Sequence, residues 1–294
     1  MDFISFHAKG APFYVNETDD VPGHLQMNMS AALHNVDDAF SVISGYETLN
    51  DLPIFIGEDD PDGCAACVSS EIDYRNGLIY PSYTVASFSR QLDLAVKYGV
   101  NLVGTLTWAF EFSNHPIFDK SRVLATNQIN KPILNIFRMF GKMQTKQLDA
   151  TSTGQYSTQS VLTSSVRDAS DVGVLASTNV AGTKTTVMIW NHHDDDLPKP
   201  DAQISLKIFN ALSGSDTAKV THYRIDESHS NAYAVWLAMG SPLHPTEDQY
   251  ANLRAAGDLA MLYEPATVKL KDGQATLQFN LPIHAISLLV IEEP

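Results

Sequence analysis

The chain has 294 residues, of which 44% are hydrophobic and 18% are charged, a composition that excludes an intrinsically disordered protein. The formal net charge is −15, because 34 acidic residues stand against 19 basic ones. This charge argues against nucleic acid and anionic membrane surfaces as partners, since both would repel the protein. The sequence contains no apolar run of about 18 residues, the length that would span a bilayer. The opening segment MDFISFHAKG does not resemble a secretory signal.

The first half of the chain alternates short apolar runs with amphipathic helices. The apolar runs predict three buried strands, near residues 3–7, 53–57 and 101–107. A helix is predicted after each strand: near residues 30–44, from Ser82 as the N-terminal cap with Val96 on its buried face, and from Pro132. Repeated strand–loop–helix units with strands that are apolar throughout indicate a parallel sheet covered by helices.

The second half changes to the period-two pattern of antiparallel strands. Nine of the fifteen residues from Thr151 to Ser165 are Ser or Thr, which we interpret as a linker or an edge segment. Seven segments predict strands: VGVLAS, KTTVMIW, AQISLKIF, AKVTHYRI, ATVKLK, ATLQFNL and AISLLVI. A helical interruption is expected near residues 233–256. The predicted fold class is therefore α/β plus all-β, with an α/β domain at residues 1–148 and an antiparallel β-sandwich at residues 149–294.

The two cysteines, Cys64 and Cys67, are spaced C-x-x-C in a predicted loop. Their number excludes a framework of several disulfides, and a zinc site would need further ligands that no second cysteine pair supplies. A thioredoxin-like site would need the pair at a helix start after a strand. We expect a structural role in the loop, with a redox module as the weaker alternative.

Polar and aromatic side chains follow each predicted parallel strand. They are His7, Lys9, Glu58, Asp59, Asp60, Trp108 and Glu111. Because functional groups of parallel α/β proteins gather at the carboxyl ends of the strands, we expect them to share one site. Glu58 directly follows the buried run IFIG, and the two acids after it would perturb its pKa by like-charge repulsion. The alternatives for this turn are a solvated acidic loop or a calcium loop, although the EF-hand spacing is absent.

Five segments carry a resemblance to a known family through their joint order along the chain. They are HAKG, FIGEDDP, GTLTWAFEF, NQINKPILNIFRMFGKM and HYRIDESHSNAYAVWLAMGSPLHPTEDQY. Together they resemble glycoside hydrolase family 39, the group of β-xylosidases and α-L-iduronidases, over nearly the whole chain. The resemblance implies a (β/α)8 barrel with an attached β-sandwich, in which the three strands are the sixth, seventh and eighth of the barrel.

The resemblance also implies roles for individual residues. Glu58 matches the nucleophile of a retaining glycosidase, an enzyme that needs two carboxyl groups about 5–5.5 Å apart. His7 and Lys9 match the segment that lines the sugar subsite. Trp108 matches the aromatic residue beneath the sugar, whose C–H face is apolar. The predicted substrate-binding residues are His7, Lys9, Asp60, Trp108 and Glu111.

Each of these candidates has an ordinary alternative. His7 and Trp108 could be core residues, and Lys9 could be a surface lysine. Glu111 could form a salt bridge to Arg122 and take no part in chemistry.

The family carries its acid/base Glu after an Asn at the end of the fourth strand, ahead of the segments matched here. The pair Asn16-Glu17 lies in the loop after the first strand and does not replace it. A (β/α)8 barrel needs roughly 250 residues, more than the α/β half supplies. We therefore expect that the first five barrel strands are missing, and that a missing N-terminal barrel fragment is a candidate partner.

The leading functional prediction is a retaining, β-xylosidase-like glycoside hydrolase that removes terminal xylosyl residues from a small oligosaccharide or glycoside. Without the acid/base it would be impaired. The alternatives are an α-L-iduronidase-like uronidase, in which the Lys9 cation would hold a substrate carboxylate, and a non-catalytic carbohydrate-binding remnant. No cofactor and no metal ion is expected.

Overall fold

The structure is a computed structural model that describes residues 2–19, 21–67, 70–212 and 215–294. The strands of the first half are β1 (Ile4–Lys9), β2 (Phe13–Val15), β3 (His24–Gln26), β4 (Ile54–Asp60), β5 (Leu102–Thr105), β6 (Ala125–Thr126) and β7 (Ile129–Asn130). Its helices are α1 (Met29–Ser44), α2 (Ile79–Tyr98) and α3 (Pro132–Phe140), with a 3-10 helix at Ser70–Arg75.

The second half begins with β8 (Lys146–Leu148) and the short helix α4 (Thr158–Ser164). Its remaining strands are β9 (Asp171–Thr178), β10 (Lys184–His192), β11 (Ala202–Ile208), β12 (Thr217–Ile225), β13 (Ala260–Met261), β14 (Ala266–Lys269), β15 (Ala275–Leu281) and β16 (Ile286–Glu292). Helices α5 (Ala232–Ala238) and α6 (Glu247–Ala256) interrupt them at the predicted place. No described helix is long and apolar enough to cross a membrane.

Strands β1, β4 and β5 form a parallel sheet in that order, which confirms the prediction of three adjacent parallel strands. The register shifts once between β1 and β4, from Phe6 opposite Ile56 to His7 opposite Glu58, so Gly57 has no opposite residue. A Cβ atom at Gly57 would lie 3.0 Å from the Ser5 hydroxyl, closer than ordinary contacts allow. Glycine therefore suits this bulge, which brings Glu58 beside His7.

The two faces of the parallel sheet differ. Ile54 and Ile56 on one face are fully buried in a core shared with α1 and α2, and the partly buried Ile4 and Phe6 pack against the same core. The opposite face, which we call the open face, carries Phe3, Ser5, His7 and Phe55. Phe3 is 55% exposed and packs edge-on against the Phe55 ring at 5.8 Å. The open face therefore exposes apolar side chains that a parallel sheet ordinarily buries.

The second half contains a seven-stranded antiparallel sheet, in the order β13-β12-β16-β10-β9-β8 with β14 also paired to β12. One face of this sheet joins the core of the first half through Met188, Trp190 and Leu288. The other face is covered by the two-stranded ribbon of β11 and β15 through Val187 and Leu289. All seven predicted strand segments form strands. The division at residues 148 and 149 remains a prediction, and β8 already pairs with β9.

Three local predictions were wrong. Ser82 lies inside α2, which begins at Ile79, and does not cap it. Val96 is 79% exposed and lies outside the buried surface of α2. That surface is not a single apolar stripe, because α2 packs between the two sheets and buries most of its residues. The interpretation of the Ser/Thr-rich segment as a linker is wrong, since it contains α4, which buries Val161 and Leu162, whereas the alternative of an edge segment agrees with the bridge between Gly154 and Val172 of β9.

Candidate active site

Glu58 lies near the carboxyl end of β4, at the edge of the open face, with a side chain that is 31% exposed. The Lys9 Nζ donates a hydrogen bond to Glu58 Oε2 over 2.6 Å. His7 Nδ1 lies 3.8 Å from the same oxygen, and the His7 side chain is 57% exposed. The structure therefore brings Glu58, Lys9 and His7 together, and His7 is not a core histidine.

The hydrogen bond from Lys9 is the main cause that lowers the pKa of Glu58, although partial burial opposes it. The positive charge of Lys9 acts in the same direction. Glu58 therefore carries its negative charge at neutral pH, as a carboxylate that attacks carbon must.

Asp60 connects this cluster to the neighbouring strand. Its side chain is fully buried and accepts hydrogen bonds from Lys9 and from the Thr107 hydroxyl. It also pairs with the Arg122 guanidinium, and the Trp108 backbone N–H lies 3.3 Å from Asp60 Oδ1. These contacts fix the position of Lys9 and of the chain that follows β5.

Trp108 is 48% exposed at the rim beyond β5, so it is not a core residue. Its ring lies 5.5 Å from that of Phe112, and Phe112 lies 5.3 Å from the His115 ring. Phe110 is also exposed on this rim. The row of rings provides a surface on which a sugar can pack its C–H face.

Glu111 has a different environment from the rest of the set. Glu111 Oε1 accepts a hydrogen bond from the Gln128 backbone N–H over 3.0 Å, in the turn between β6 and β7. The alternative prediction of a salt bridge between Glu111 and Arg122 is wrong, because the Arg122 guanidinium pairs with Asp60 and donates to the Trp108 carbonyl over 2.6 Å. Within the described residues, no hydrogen bond or ion pair links Glu111 to the Glu58 cluster.

Asp59 faces away from the cluster. It is only 5% exposed, and its Oδ2 accepts a hydrogen bond from Gln91 on α2. Burial raises the pKa of Asp59 from 3.8 to about 7; the nearby Asp60 adds to this rise and the Gln91 hydrogen bond opposes it. A carboxyl group protonated near neutral pH has the property a general acid needs, but Asp59 is sealed beneath the helices and cannot reach a glycosidic oxygen.

The sequence reasoning missed Arg122 and Thr107 as members of the site. Arg122 is 1% exposed and lies more than sixty residues beyond Asp60, so only the folded structure brings it to the cluster. The one signal for Thr107 was its place beside Trp108 at the strand end. Within residues 2–19, 21–67, 70–212 and 215–294, no group of three or more His, Cys, Asp or Glu side chains is arranged to hold a metal ion.

Comparisons with known proteins identify a family. The model of glycosyl hydrolases family 39 matches residues 1–269. Among curated proteins, the chain is 24% identical to the α-L-iduronidase of Mus musculus over an alignment of 313 positions, which covers 98% of this chain and 45% of that protein.

Two solved structures share the fold. A GH39 enzyme from Xanthomonas axonopodis pv. citri has a TM-score of 0.73 and 15% identity, covering 100% of this chain and 55% of that one. A monomeric β-xylosidase from Caulobacter crescentus has a TM-score of 0.70 and 16% identity, covering 99% and 56%. The chain thus spans about half the length of the relatives it matches.

Proposed function

The chain belongs to glycosyl hydrolases family 39, and we propose that it carries the nucleophile of a retaining glycosidase. Glu58 is the proposed nucleophile. The observation that carries this proposal is the contact of 2.6 Å between Lys9 Nζ and Glu58 Oε2, which keeps an ionised carboxylate at the end of a parallel strand. His7 and the exposed Trp108 lie on the same rim and are the proposed sugar contacts.

In the proposed reaction, the Glu58 carboxylate attacks the anomeric carbon while the bond to the leaving oxygen breaks. A general acid protonates that oxygen, and a glycosyl ester of Glu58 forms. Water then attacks the anomeric carbon, a base takes its proton, and the carboxylate is released. Lys9 stabilises the charge on Glu58 before attack and after release, and Asp60 keeps Lys9 in place during the ester stage.

We further propose that β1, β4 and β5 are the sixth, seventh and eighth strands of a (β/α)8 barrel, and that residues 149–294 form the attached sandwich. The exposed Phe3 and the apolar open face support this, because a closed barrel would bury them. In this proposal a barrel fragment outside the chain covers the open face and supplies the acid/base. Such a fragment is the proposed macromolecular partner.

The proposed substrate is a small β-xyloside. Lys9 is already engaged by Glu58 and Asp60, so little of its charge remains for a substrate carboxylate, and this favours an uncharged sugar. An α-L-iduronide is the second candidate, because Lys9 is a cation within the same subsite and the mouse relative is named as an iduronidase. A remnant that only binds sugar is the third.

A trapping experiment separates these candidates without the missing acid. The reagent is a fluorinated β-xyloside with a dinitrophenolate leaving group, which departs without protonation, while the fluorine slows hydrolysis of the ester. We expect the intact chain to gain the mass of one fluoroxylosyl group, located on Glu58 by peptide mapping and absent in Glu58→Gln. Faster trapping by the matching iduronide would favour the uronidase, and sugar binding without trapping by either reagent would favour the remnant.

A further inference from the structure

Six charged side chains of alternating sign extend from the proposed nucleophile into the loop that follows β4. In order of contact they are Glu58, Lys9, Asp60, Arg122, Asp62 and Arg75. The Arg122 Nε lies 3.5 Å from Asp62 Oδ1, and the Arg75 Nη2 lies 2.8 Å from the same oxygen. Both arginines are at most 2% exposed, so solvent screens these contacts little.

Arg75 is held at the far end of this row by the C-x-x-C loop. Cys64 and Cys67 lie in a loop, as predicted, and are joined by a disulfide bond. The Arg75 guanidinium donates to the carbonyls of both cysteines, with 2.6 Å to that of Cys67, and to the Lys120 carbonyl over 3.1 Å. Its Nε donates to Asp62 Oδ2 over 3.0 Å. The disulfide closes the loop in which both carbonyls face the guanidinium.

The middle of the row contacts the backbone of Trp108. The Arg122 guanidinium donates to the Trp108 carbonyl over 2.6 Å, and Asp60 lies against the Trp108 N–H. The Arg122 backbone N–H donates in turn to the Ala65 carbonyl, inside the disulfide loop, over 2.8 Å. The loop therefore holds Arg122 both directly and through Arg75 and Asp62.

We propose that Arg75, seated in the disulfide-closed loop, is a positioning residue of the sugar site that acts through Asp62 and Arg122 on Trp108. Only a guanidinium presents several donors in one plane, so lysine cannot make the same set of contacts. The placement of Trp108 stands on these contacts, whereas its effect on sugar binding rests on the proposed function.

The test compares Arg75→Lys with Arg90→Lys, a matched change at a buried arginine away from the site. Arg90 is fully buried and its Nη2 lies 2.8 Å from Asp171 Oδ1, while Asp171 Oδ2 accepts from the Trp190 indole over 2.8 Å. The chain has three tryptophans, whose indole N–H signals can be followed by NMR and assigned by single Trp→Phe variants. Trp236 serves as an internal reference.

We expect Arg75→Lys to shift the Trp108 indole signal and leave that of Trp190, and Arg90→Lys to do the reverse. In the trapping assay, Arg75→Lys should raise the half-saturating reagent concentration by up to about tenfold, no more than removal of the Trp108 ring would, with a smaller change in the limiting rate. Arg90→Lys should leave both unchanged at a temperature where it is fully folded. The double variant Cys64→Ser, Cys67→Ser should shift the Trp108 signal in the same direction as Arg75→Lys.

The proposal is overturned if the Trp108 signal stays in place in Arg75→Lys and in the double serine variant, or if Arg90→Lys shifts it equally. A Trp108 signal that shifts with Arg75→Lys, in a wild-type chain that the reagent fails to trap, would support the positioning role and contradict the proposed function. Trapping of the wild type with the same half-saturation in Arg75→Lys would contradict the positioning role alone.

Discussion

The parallel sheet and the seven-stranded sheet of this protein differ in how their faces are covered. The parallel sheet buries one face and exposes the other, and the polar strand ends His7, Lys9 and Glu58 gather beside the exposed face. The seven-stranded sheet is covered on both faces, and all of β10 except Lys184 is buried. The comparison teaches that the candidate chemistry lies on the sheet with an open face, while the doubly covered sheet contributes stability.

A buried ion pair between an arginine and an aspartate occurs in both regions. Arg75 pairs with Asp62 next to the exposed rim, and Arg90 pairs with the fully buried Asp171 in the interior. The first pair connects onward to Arg122 and the Trp108 backbone. The second ties α2 to β9 and to the Trp190 indole. The two buried ion pairs therefore share their chemistry and differ in location, because only the first lies beside the candidate site.

The largest effect on stability is expected at the buried pair of the second region. Asp171→Ala removes the carboxylate that pairs with Arg90 and that accepts hydrogen bonds from the Trp190 indole and the Tyr156 backbone N–H. We expect the free energy of unfolding in urea to fall by about 3–5 kcal/mol, because an uncompensated buried charge remains.

The matched control is an exposed pair of similar geometry, Lys97 and Asp37, 2.8 Å apart with the Lys97 side chain 48% exposed. Lys97→Met should change stability by less than about 1 kcal/mol. An equal effect of the two substitutions would break the assignment of stability to the doubly covered sheet.

A pH-dependent effect is expected beneath the parallel sheet. The folded pKa of Asp59, about 7, lies above its ordinary value of 3.8, so the folded state binds this proton more tightly than the unfolded state. This group therefore lowers stability progressively as the pH rises from about 4 to about 7, by on the order of 4 kcal/mol. The asparagine of Asp59→Asn cannot ionise, so the unfolding free energy of this variant, measured in urea, should change less with pH between about 4 and about 7 than that of the wild type. An equal pH dependence of the two proteins would show that folding does not raise the pKa of Asp59.

The smallest effect on stability, but a clear effect on binding, is expected at the rim. Trp108→Ala removes a half-exposed ring, so the unfolding free energy should change little. Titration with xylose, followed by NMR, should show affinity weakened by roughly tenfold, since aromatic packing contributes about 0.5–1.5 kcal/mol beyond its buried area. Leu237→Ala, at a surface residue that is 49% exposed in α5, is the control. Equal binding by both variants would remove Trp108 from the sugar site.

Much of the fold followed from patterns that act locally. Three runs that are apolar throughout predicted the parallel strands. Because the carboxyl ends of parallel strands share one edge of the sheet, His7, Lys9 and Glu58 could be grouped from the sequence. The contacts of Arg122 and Arg75 could not, because they depend on how two loops far apart in the chain fold against each other. The buried face of α2 was also out of reach, since a helix packed between two sheets has no single apolar stripe.

The most direct test of the account is the configuration of the product formed by Glu58→Ala in the presence of azide. The substrate is a dinitrophenyl β-xyloside, whose leaving group departs without an acid. If Glu58 is the nucleophile, azide enters the space left by its carboxylate and attacks the anomeric carbon from the same side. The account predicts that the variant releases no dinitrophenolate above background alone, and forms the α-xylosyl azide when azide is added. Formation of the β-xylosyl azide, or unchanged turnover without azide, would contradict it.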